Sequence, residues 1–233
     1  MDEVLFRVQA LAEEQHSMVS IKQMFDCGAT RKWIVRRSED GFIVKAGPSA
    51  YRMAGVRPAF VNQVMATVLS CKGPVVVSHR SAAHLLGFER MAEPGSLEIT
   101  VPRHRRPKAR TGITVHESLA FDLAEPTVRN GIPVTGVART ILDCAPMVNR
   151  PIRLLDDALR RRIVTWDELW TCYLAHNVRG RNVLPYRRIL LERDGNTPPG
   201  GEFALRMEGM LTGAGLPKPV FEHRVVVDGH VYY

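Results

Sequence analysis

The 233-residue sequence predicts an α+β protein, and three observations lead to that fold class. Residues 20–53 change from helical to strand-like periodicity within one short segment. Residues 56–194 mix short β-prone runs with amphipathic helical stretches, and residues 195–233 hold a helical stretch followed by a β-prone hairpin. Helices and hairpins that do not alternate strictly are typical of α+β folds. We therefore predict three units, at residues 1–55, 56–194 and 195–233.

The first unit contains two short helices joined by a tight turn. Ser20 stands three residues before Gln23, which predicts a capping box, and Gly28 can end that helix in a left-handed conformation. A second helix is expected to begin near Thr30 and to end at Gly41. The turn between them is short enough to place the two helices against each other.

A β-hairpin is expected directly after the second helix. Its strands are 42–45 and 50–53, and Gly47-Pro48-Ser49 supplies the turn. An amphipathic helix over residues 3–14 precedes the whole arrangement. Helix, turn, helix and hairpin in this order are typical of a winged helix-turn-helix.

Such a unit places its second helix in the DNA major groove, where the base edges carry sequence information. Cations on the second helix would approach the bases, and those on the hairpin would neutralise phosphates. The predicted DNA-binding residues of this unit are Arg31, Lys32, Arg36, Arg37, Lys45 and Arg52. Helix-turn-helix shapes also serve as protein-contact modules, and a basic outer face is often only solvated. Both alternatives stay open at this point.

The formal net charge of +8 is concentrated in the middle of the chain, because residues 56–150 carry 12 Lys or Arg against 7 Asp or Glu. The densest basic stretch follows Pro102 and contains Arg103, Arg105, Arg106, Lys108 and Arg110. These cations could contact the DNA backbone, or they could belong to a solvated loop between two strands. The stretch contains no aromatic residue, which argues against stacking on single-stranded nucleic acid.

Several expectations concern the helices and strands of the middle region. A helix is expected over residues 58–70, and residues 127–134 should form a hairpin in which Pro133 marks an edge position. Thr135 can cap the following helix. Arg139 and Asp143, four residues apart, are expected to form a surface ion pair that contributes only about 0.3–0.5 kcal/mol.

Composition and spacing exclude several other classes of protein. No apolar run is long enough for a membrane span, and the charged first fifteen residues are unlike a signal peptide, so a cytoplasmic protein without a membrane partner is expected. The four cysteines lack C-x-x-C spacing, and the eight histidines lack metal-ligand spacing. There is no glycine-rich phosphate loop. We therefore predict no catalytic residues, no metal and no cofactor.

Three short sequence segments, in their order along the chain, resemble the actinobacterial AbiEi-type antitoxins. They are Ala50-Tyr51-Arg52-Met53-Ala54-Gly55, then Val77-Ser78-His79-Arg80-Ser81-Ala82-Ala83, then Gly131-Ile132-Pro133-Val134-Thr135 leading into Ala138-Arg139-Thr140-Ile141-Leu142-Asp143. The resemblance covers most of residues 1–175. It implies the regulator half of a type IV toxin-antitoxin system: a winged helix that represses its own operon, and an antitoxin-like domain that counters a nucleotidyltransferase-like toxin.

The last stretch resembles the start of the very-short-patch-repair-like branch of the PD-(D/E)XK nucleases, with Glu202 at the position of that fold's helix glutamate. The family's metal site also needs an Asp and a Glu/Asp-x-Lys on later strands, and the sequence stops at Tyr233 before they could occur. A metal-dependent DNA endonuclease is therefore the alternative function, and a protein that is not an enzyme is expected. Glu202, Glu208 and Glu222 are then interpreted as surface carboxylates.

The sequence thus predicts a sequence-specific DNA-binding regulator that acts as antitoxin and autorepressor. Its expected partners are double-stranded operator DNA and a nucleotidyltransferase-like toxin. An inverted-repeat operator would favour a homodimer on DNA, although no residue pattern identifies a dimer surface. A module that binds only the toxin is a further alternative.

Overall fold

The computed structural model describes residues 2–105, 107, 111–122, 126–193, 202–220, 225–227 and 230–232. The described residues combine helices with β-sheets, which confirms the predicted α+β class. Contacts group the chain into two compact units, residues 1–85 with 92–135 and residues 86–91 with 136–233. None of the helices in the described ranges is long and apolar enough to cross a membrane.

The predicted unit boundaries after residues 55 and 194 do not coincide with these two units, because side chains make contacts across both. Asn62 donates through Nδ2 to the His16 carbonyl oxygen at 2.7 Å, which ties the helix after residue 55 to the preceding segment. Arg193 donates through Nη1 to Glu208 Oε1 at 2.8 Å, which links the two sides of residue 194. Neither contact can be foreseen from local sequence, where only composition marks a boundary.

The first unit contains two sheets with helices packed on them. In the first sheet the strand order is β1-β3-β2, all antiparallel, and in the second it is β6-β5-β4-β8-β7. The elements of this unit are α1 (Glu3–Glu14), β1 (Met18–Ser20), α2 (Ile21–Asp26), α3 (Arg31–Glu39), β2 (Ile43–Lys45), β3 (Ala50–Met53), α4 (Phe60–Ser70), β4 (Val76–Val77), α5 (His79–Leu85), β5 (Leu97–Pro102), β6 (Ile113–Ser118), β7 (Thr127–Arg129) and β8 (Ile132–Val134).

The ends of α2 and α3 follow the residues that predicted them. The Ser20 hydroxyl accepts from the Gln23 N–H while the Gln23 side chain accepts from the Ser20 N–H, which completes the capping box. Gly28 then adopts a φ of +95°, a conformation that disfavours a side chain. The Thr30 hydroxyl accepts from the Trp33 N–H at 3.1 Å and opens α3.

A compact apolar core holds α1, α2, α3 and the first sheet together. Each of these elements contributes buried side chains, because its apolar residues recur at the period of its secondary structure. The core residues are Val8, Val19, Met24, Ala29, Ile34 and Ile43, and partly buried neighbours such as Tyr51 and Met53 pack against them. This packing fixes which face of each helix is exposed.

The second sheet places β8 between β4 and β7, so the prediction that Pro133 marks an edge strand is wrong. Pro133 pairs with Val128 of β7, whereas the parallel contact with β4 is made by Val134 opposite Val77. The Thr135 N–H then donates to the Val77 carbonyl at 2.9 Å. The β4 contact therefore lies beyond the proline, whose missing N–H is not required there.

The second unit is mainly helical. Its elements are α6 (Val137–Cys144), α7 (Ile152–Arg160), α8 (Trp166–His176), α9 (Leu184–Arg193), α10 (Glu202–Gly213), β9 (Val225–Val227) and β10 (His230–Tyr232). Thr165 and Glu168 form a capping box at the start of α8. Thr135 does not cap α6: that helix begins after Gly136 without a side-chain cap, because Thr135 is still bonded to the sheet.

The ion pair of Arg139 and Asp143 is buried rather than on the surface, which corrects the prediction. Both side chains are 3% exposed, since this side of α6 packs against α8. Arg139 Nε donates to both Asp143 carboxylate oxygens at 2.9 Å, and Arg139 Nη1 donates to His176 Nε2 at 2.7 Å. Arg181 adds a third contact to Asp143 at 2.7 Å. A pair inside such a network matters far more to stability than an exposed one.

A second buried charge cluster joins α7, α9 and α10. Arg193 is 1% exposed and donates to both carboxylate oxygens of Asp156 and to both of Glu208, at 2.8–3.1 Å. Lys218 lies 3.4 Å from Glu208 Oε1. The expectation that Glu208 is a surface carboxylate is therefore wrong, because α10 turns it toward Arg193.

Candidate nucleic-acid interface

Helix α3 presents cations outward because its inner side is anchored in the core. Ile34 is 5% exposed and belongs to the apolar core, which sets the rotation of the helix about its axis. Lys32 and Arg36, four residues apart, consequently share the outer side of the helix away from Ile34. Arg31, three residues before Ile34, is exposed in the first turn beside them. We call the exposed side of α3 that carries these three cations the α3 surface.

Arg37 was predicted with these cations, but the structure gives it other partners. Its Nη2 donates to Asp2 Oδ2 at 2.6 Å, and its guanidinium carbon lies 5.2 Å from the centre of the Phe42 ring. The Trp33 indole N–H donates to the same Asp2 oxygen at 2.9 Å. Asp2 also caps α1 by accepting from the Leu5 N–H. Arg37 therefore joins α3 to the start of α1 and lies outside the α3 surface.

The contacts of Asp2 keep its carboxylate charged. Hydrogen bonds from Arg37 and Trp33 lower the pKa of Asp2 to about 2. Asp2 is therefore charged at neutral pH, and its single side chain links α1 to α3.

Lys45 and Arg52, the predicted phosphate contacts, lie on opposite faces of the first sheet. Lys45 pairs with Tyr51, and Ile43 pairs with Met53, so Lys45 shares the face that packs against the helices. Lys45 is exposed. Arg52 pairs with Val44 on the other face, is half-buried, and has a buried Nε without a partner in the described part of the chain. Of the two residues, only Lys45 lies on the side of α3.

The basic stretch after Pro102 is described only in part. Arg103 and Arg105 are exposed, as expected for a loop that connects two strands. The other predicted cations of this stretch, Arg106, Lys108 and Arg110, lie outside the described residues. The same holds for Glu222 and for the side chain of Glu202, the residue singled out by the resemblance to nucleases.

A polar cluster on the second sheet was missed by the sequence analysis. Glu98 is 1% exposed and lies between Arg80, whose Nε is 3.2 Å away, and His116, whose Nε2 is 3.7 Å away. Burial opposes ionisation of Glu98, but the nearby His116 ring and the hydrogen bonds from Arg80 outweigh it and lower its pKa to about 2. The alternation of apolar Leu97, charged Glu98 and apolar Ile99 was the sequence signal that could have placed Glu98 on the face opposite the apolar one.

Glu98 and the neighbouring Ser78 are closed to solvent. The Ser78 hydroxyl is fully buried and accepts from Thr100 at 2.8 Å, so it is not accessible to a substrate. Within the described ranges, no three His, Cys, Asp or Glu side chains are arranged to hold a metal ion. The arrangement with the clearest chemical capacity is therefore the α3 surface, which can bind a polyanion.

Comparisons with known proteins support the fold and leave the function open. No family model matches the chain, and no curated protein matches it. Among solved structures, the chain is similar to the crystal structure of the Rv2827c protein from Mycobacterium tuberculosis. That likeness has a TM-score of 0.51 at 17% identity and covers 97% of this chain and 89% of the other. At this identity it shows a common fold only.

Proposed function

We propose that this protein is a sequence-specific DNA-binding transcriptional regulator, and that it acts as antitoxin and autorepressor of a type IV toxin-antitoxin operon. The observation that carries the proposal is the α3 surface, on which Arg31, Lys32 and Arg36 are exposed while Ile34 anchors the helix in the core. In this proposal, the segment from α1 to β3 is a winged helix-turn-helix with α3 as its recognition helix.

The three cations have different roles in this proposal. Arg31 and Lys32 lie in the first turn of α3, where the positive end of the helix dipole also favours a phosphate. Arg36 lies one turn further along and can donate two hydrogen bonds to a guanine edge in the major groove. Arg36 is therefore the residue that we assign to sequence reading, and Arg31 and Lys32 strengthen binding.

Other cations add affinity without sequence information. Lys45 lies on the α3 side of the first sheet, so we assign it to a phosphate beside the groove. Arg103 and Arg105, with the predicted cations at 106, 108 and 110, would extend the contact along the backbone. Arg52 is half-buried on the opposite face and is a weaker candidate than the sequence indicated.

Replacing Arg36 with alanine is expected to reduce the preference for the cognate sequence. The substitution removes a bidentate contact with a base, which is worth about 1–3 kcal/mol of discrimination. Fluorescence anisotropy with the upstream DNA of the gene and with a scrambled duplex measures the preference. Arg129→Ala is the matched control, because Arg129 is an exposed cation on β7 and its loss changes the net charge equally. Equal losses of preference in both variants would contradict the assignment of Arg36.

The antitoxin role rests on the resemblance of residues 77–83 and 131–143 to AbiEi-type proteins. It predicts that the chain relieves the growth arrest caused by a nucleotidyltransferase-like toxin encoded beside it. Co-expression of the two genes tests this, with growth as the readout. Growth arrest that persists at full expression of this chain would contradict the antitoxin role and leave the DNA-binding role unaffected.

A further inference from the structure

A cavity of about 550 Å³ lies inside the first unit, next to the apolar face of the second sheet. Its floor includes Ile99 and Val101 of β5 together with Ile113 and Val115 of β6. These four side chains share one face, because β5 and β6 are parallel with Ile99 opposite Val115 and alternate residues point the same way. The volume is within the range of sites that hold small molecules.

The charged side chains described around this cavity are both cationic. Lys72 and Arg105 both line it and both are exposed, so their charged ends are in water before a ligand arrives. No Asp or Glu is among the described residues that line it. An apolar floor beside two cations is complementary to a molecule with an apolar body and an anionic head.

Ser70 supplies a further polar group at the same place. Its hydroxyl oxygen is buried and has no hydrogen-bond partner among the residues that the structure describes, and Ser70 lines the cavity at the end of α4. A buried hydroxyl without a partner is unfavourable, and most such groups in folded proteins are satisfied. Because that oxygen is closed to solvent and lies beside Gly47, the Ser70 side chain rotates in this account, and a ligand oxygen in the cavity then accepts its hydrogen bond.

We propose that this cavity binds an amphipathic carboxylate. Its hydrocarbon part lies on Ile99, Val101 and Val115, its carboxylate is held by Lys72 and Arg105, and the Ser70 hydroxyl donates to an oxygen of the ligand. The affinity comes from burial of the hydrocarbon, and the selectivity for an anion comes from the two cations.

The occupant would also contact the hairpin of the first sheet. Pro48, in the turn between β2 and β3, is another lining residue of the cavity. If the hairpin contacts DNA, a bound carboxylate changes the affinity for DNA, and this regulatory part rests on the proposed function. The binding site itself does not depend on it.

Calorimetric titration of the full chain with decanoate tests the site. Decanol and decyltrimethylammonium are the controls, since they carry the same hydrocarbon with a neutral and a cationic head. We expect saturable binding of decanoate, at least tenfold tighter than binding of either control. No saturable binding of decanoate, or equal binding of all three, would overturn the proposal.

Three variants locate the binding. Lys72→Gln combined with Arg105→Gln is expected to weaken decanoate binding at least tenfold and to leave decanol binding unchanged. Arg103→Gln, in the same exposed loop, is the matched control and is expected to have no effect. Ser70→Ala removes only the hydroxyl and should weaken decanoate binding severalfold. Decanoate binding that all three variants retain would place the ligand elsewhere and overturn the assignment.

DNA binding in the presence and absence of decanoate tests the regulatory part. A changed affinity for the upstream duplex, lost in the Lys72→Gln and Arg105→Gln variant, is the expected result. If decanoate binds but the affinity for DNA does not change, the proposed coupling between the cavity and the hairpin through Pro48 is wrong. The proposed binding site is then still supported. If the chain does not bind DNA at all, the proposed function fails, and the calorimetric result still decides the site.

Discussion

Replacing Arg193 with alanine is expected to lower the free energy of unfolding by about 3–5 kcal/mol. Arg193 is 1% exposed and makes four hydrogen bonds to the carboxylates of Asp156 and Glu208. Without it, two carboxylates that come from different helices remain close together, and Lys218 lies beside one of them, Glu208. The loss is large because removing one partner leaves the other charges buried and uncompensated.

Urea denaturation followed by circular dichroism measures this effect. Arg188→Ala is the matched control: Arg188 lies on the same helix but is exposed, so its loss is expected to change stability by less than about 0.5 kcal/mol. Equal effects of the two substitutions would show that the Arg193 cluster does not hold α7, α9 and α10 together.

Between pH 4 and pH 6.5, the stability of the second unit is expected to rise with pH by up to about 3 kcal/mol because of His176. Burial, together with the positive charges of Arg139 and Arg181, lowers the pKa of His176 from 6.5 to about 4. The unfolded chain therefore binds a proton on this residue below pH 6.5, whereas the folded chain does not until about pH 4. Protonation consequently favours the unfolded state throughout this interval.

The direction agrees with the hydrogen bond that His176 makes. Arg139 Nη1 donates to Nε2 of the ring at 2.7 Å, so Nε2 has to be unprotonated in the folded state. Urea titrations at several pH values between 4.5 and 6.5, for the wild type and for His176→Gln, measure the effect. The glutamine oxygen can accept from Arg139 without titrating, so the variant should show a flatter dependence on pH. The same slope in both proteins would contradict a neutral His176.

Local signals predicted most of the first unit. The capping box at Ser20, the left-handed Gly28 and the cap at Thr30 are satisfied within a few residues of the chain, so sequence alone identifies the ends of α2 and α3. Periodicity likewise predicted the outward side of α3, because Ile34 is the apolar residue that enters the core. The interpretation of this side as a DNA reader remains a proposal.

Long-range contacts account for what the sequence did not predict. Arg37 has the same spacing as a surface cation, but Asp2, thirty-five residues away, binds it. Arg139 and Asp143 have the spacing of an exposed helix pair, and only the packing of α8 shows that they are buried. Glu208 likewise looks like a surface carboxylate until Arg193 is placed beside it. In each case the partner comes from another element, so local pattern could not identify it.

These corrections refine the candidate interface. Arg37 leaves the set of cations available to DNA, and Arg52 lies on the face of the sheet away from Lys45. Exposed cations described on the α3 side of the first unit then include Arg31, Lys32, Arg36 and Lys45. Each contact between such a cation and a phosphate releases counterions. We therefore expect the affinity for DNA to fall as the salt concentration rises.

The salt dependence of wild-type binding tests the DNA-binding claim most directly. Fluorescence anisotropy is measured with the upstream duplex of the gene and with a scrambled duplex of the same composition, over a range of salt concentrations. We predict tighter binding to the upstream duplex at every concentration, with an affinity that falls steeply as salt rises. Weak binding that is equal for both duplexes would contradict a regulator that reads its own operator.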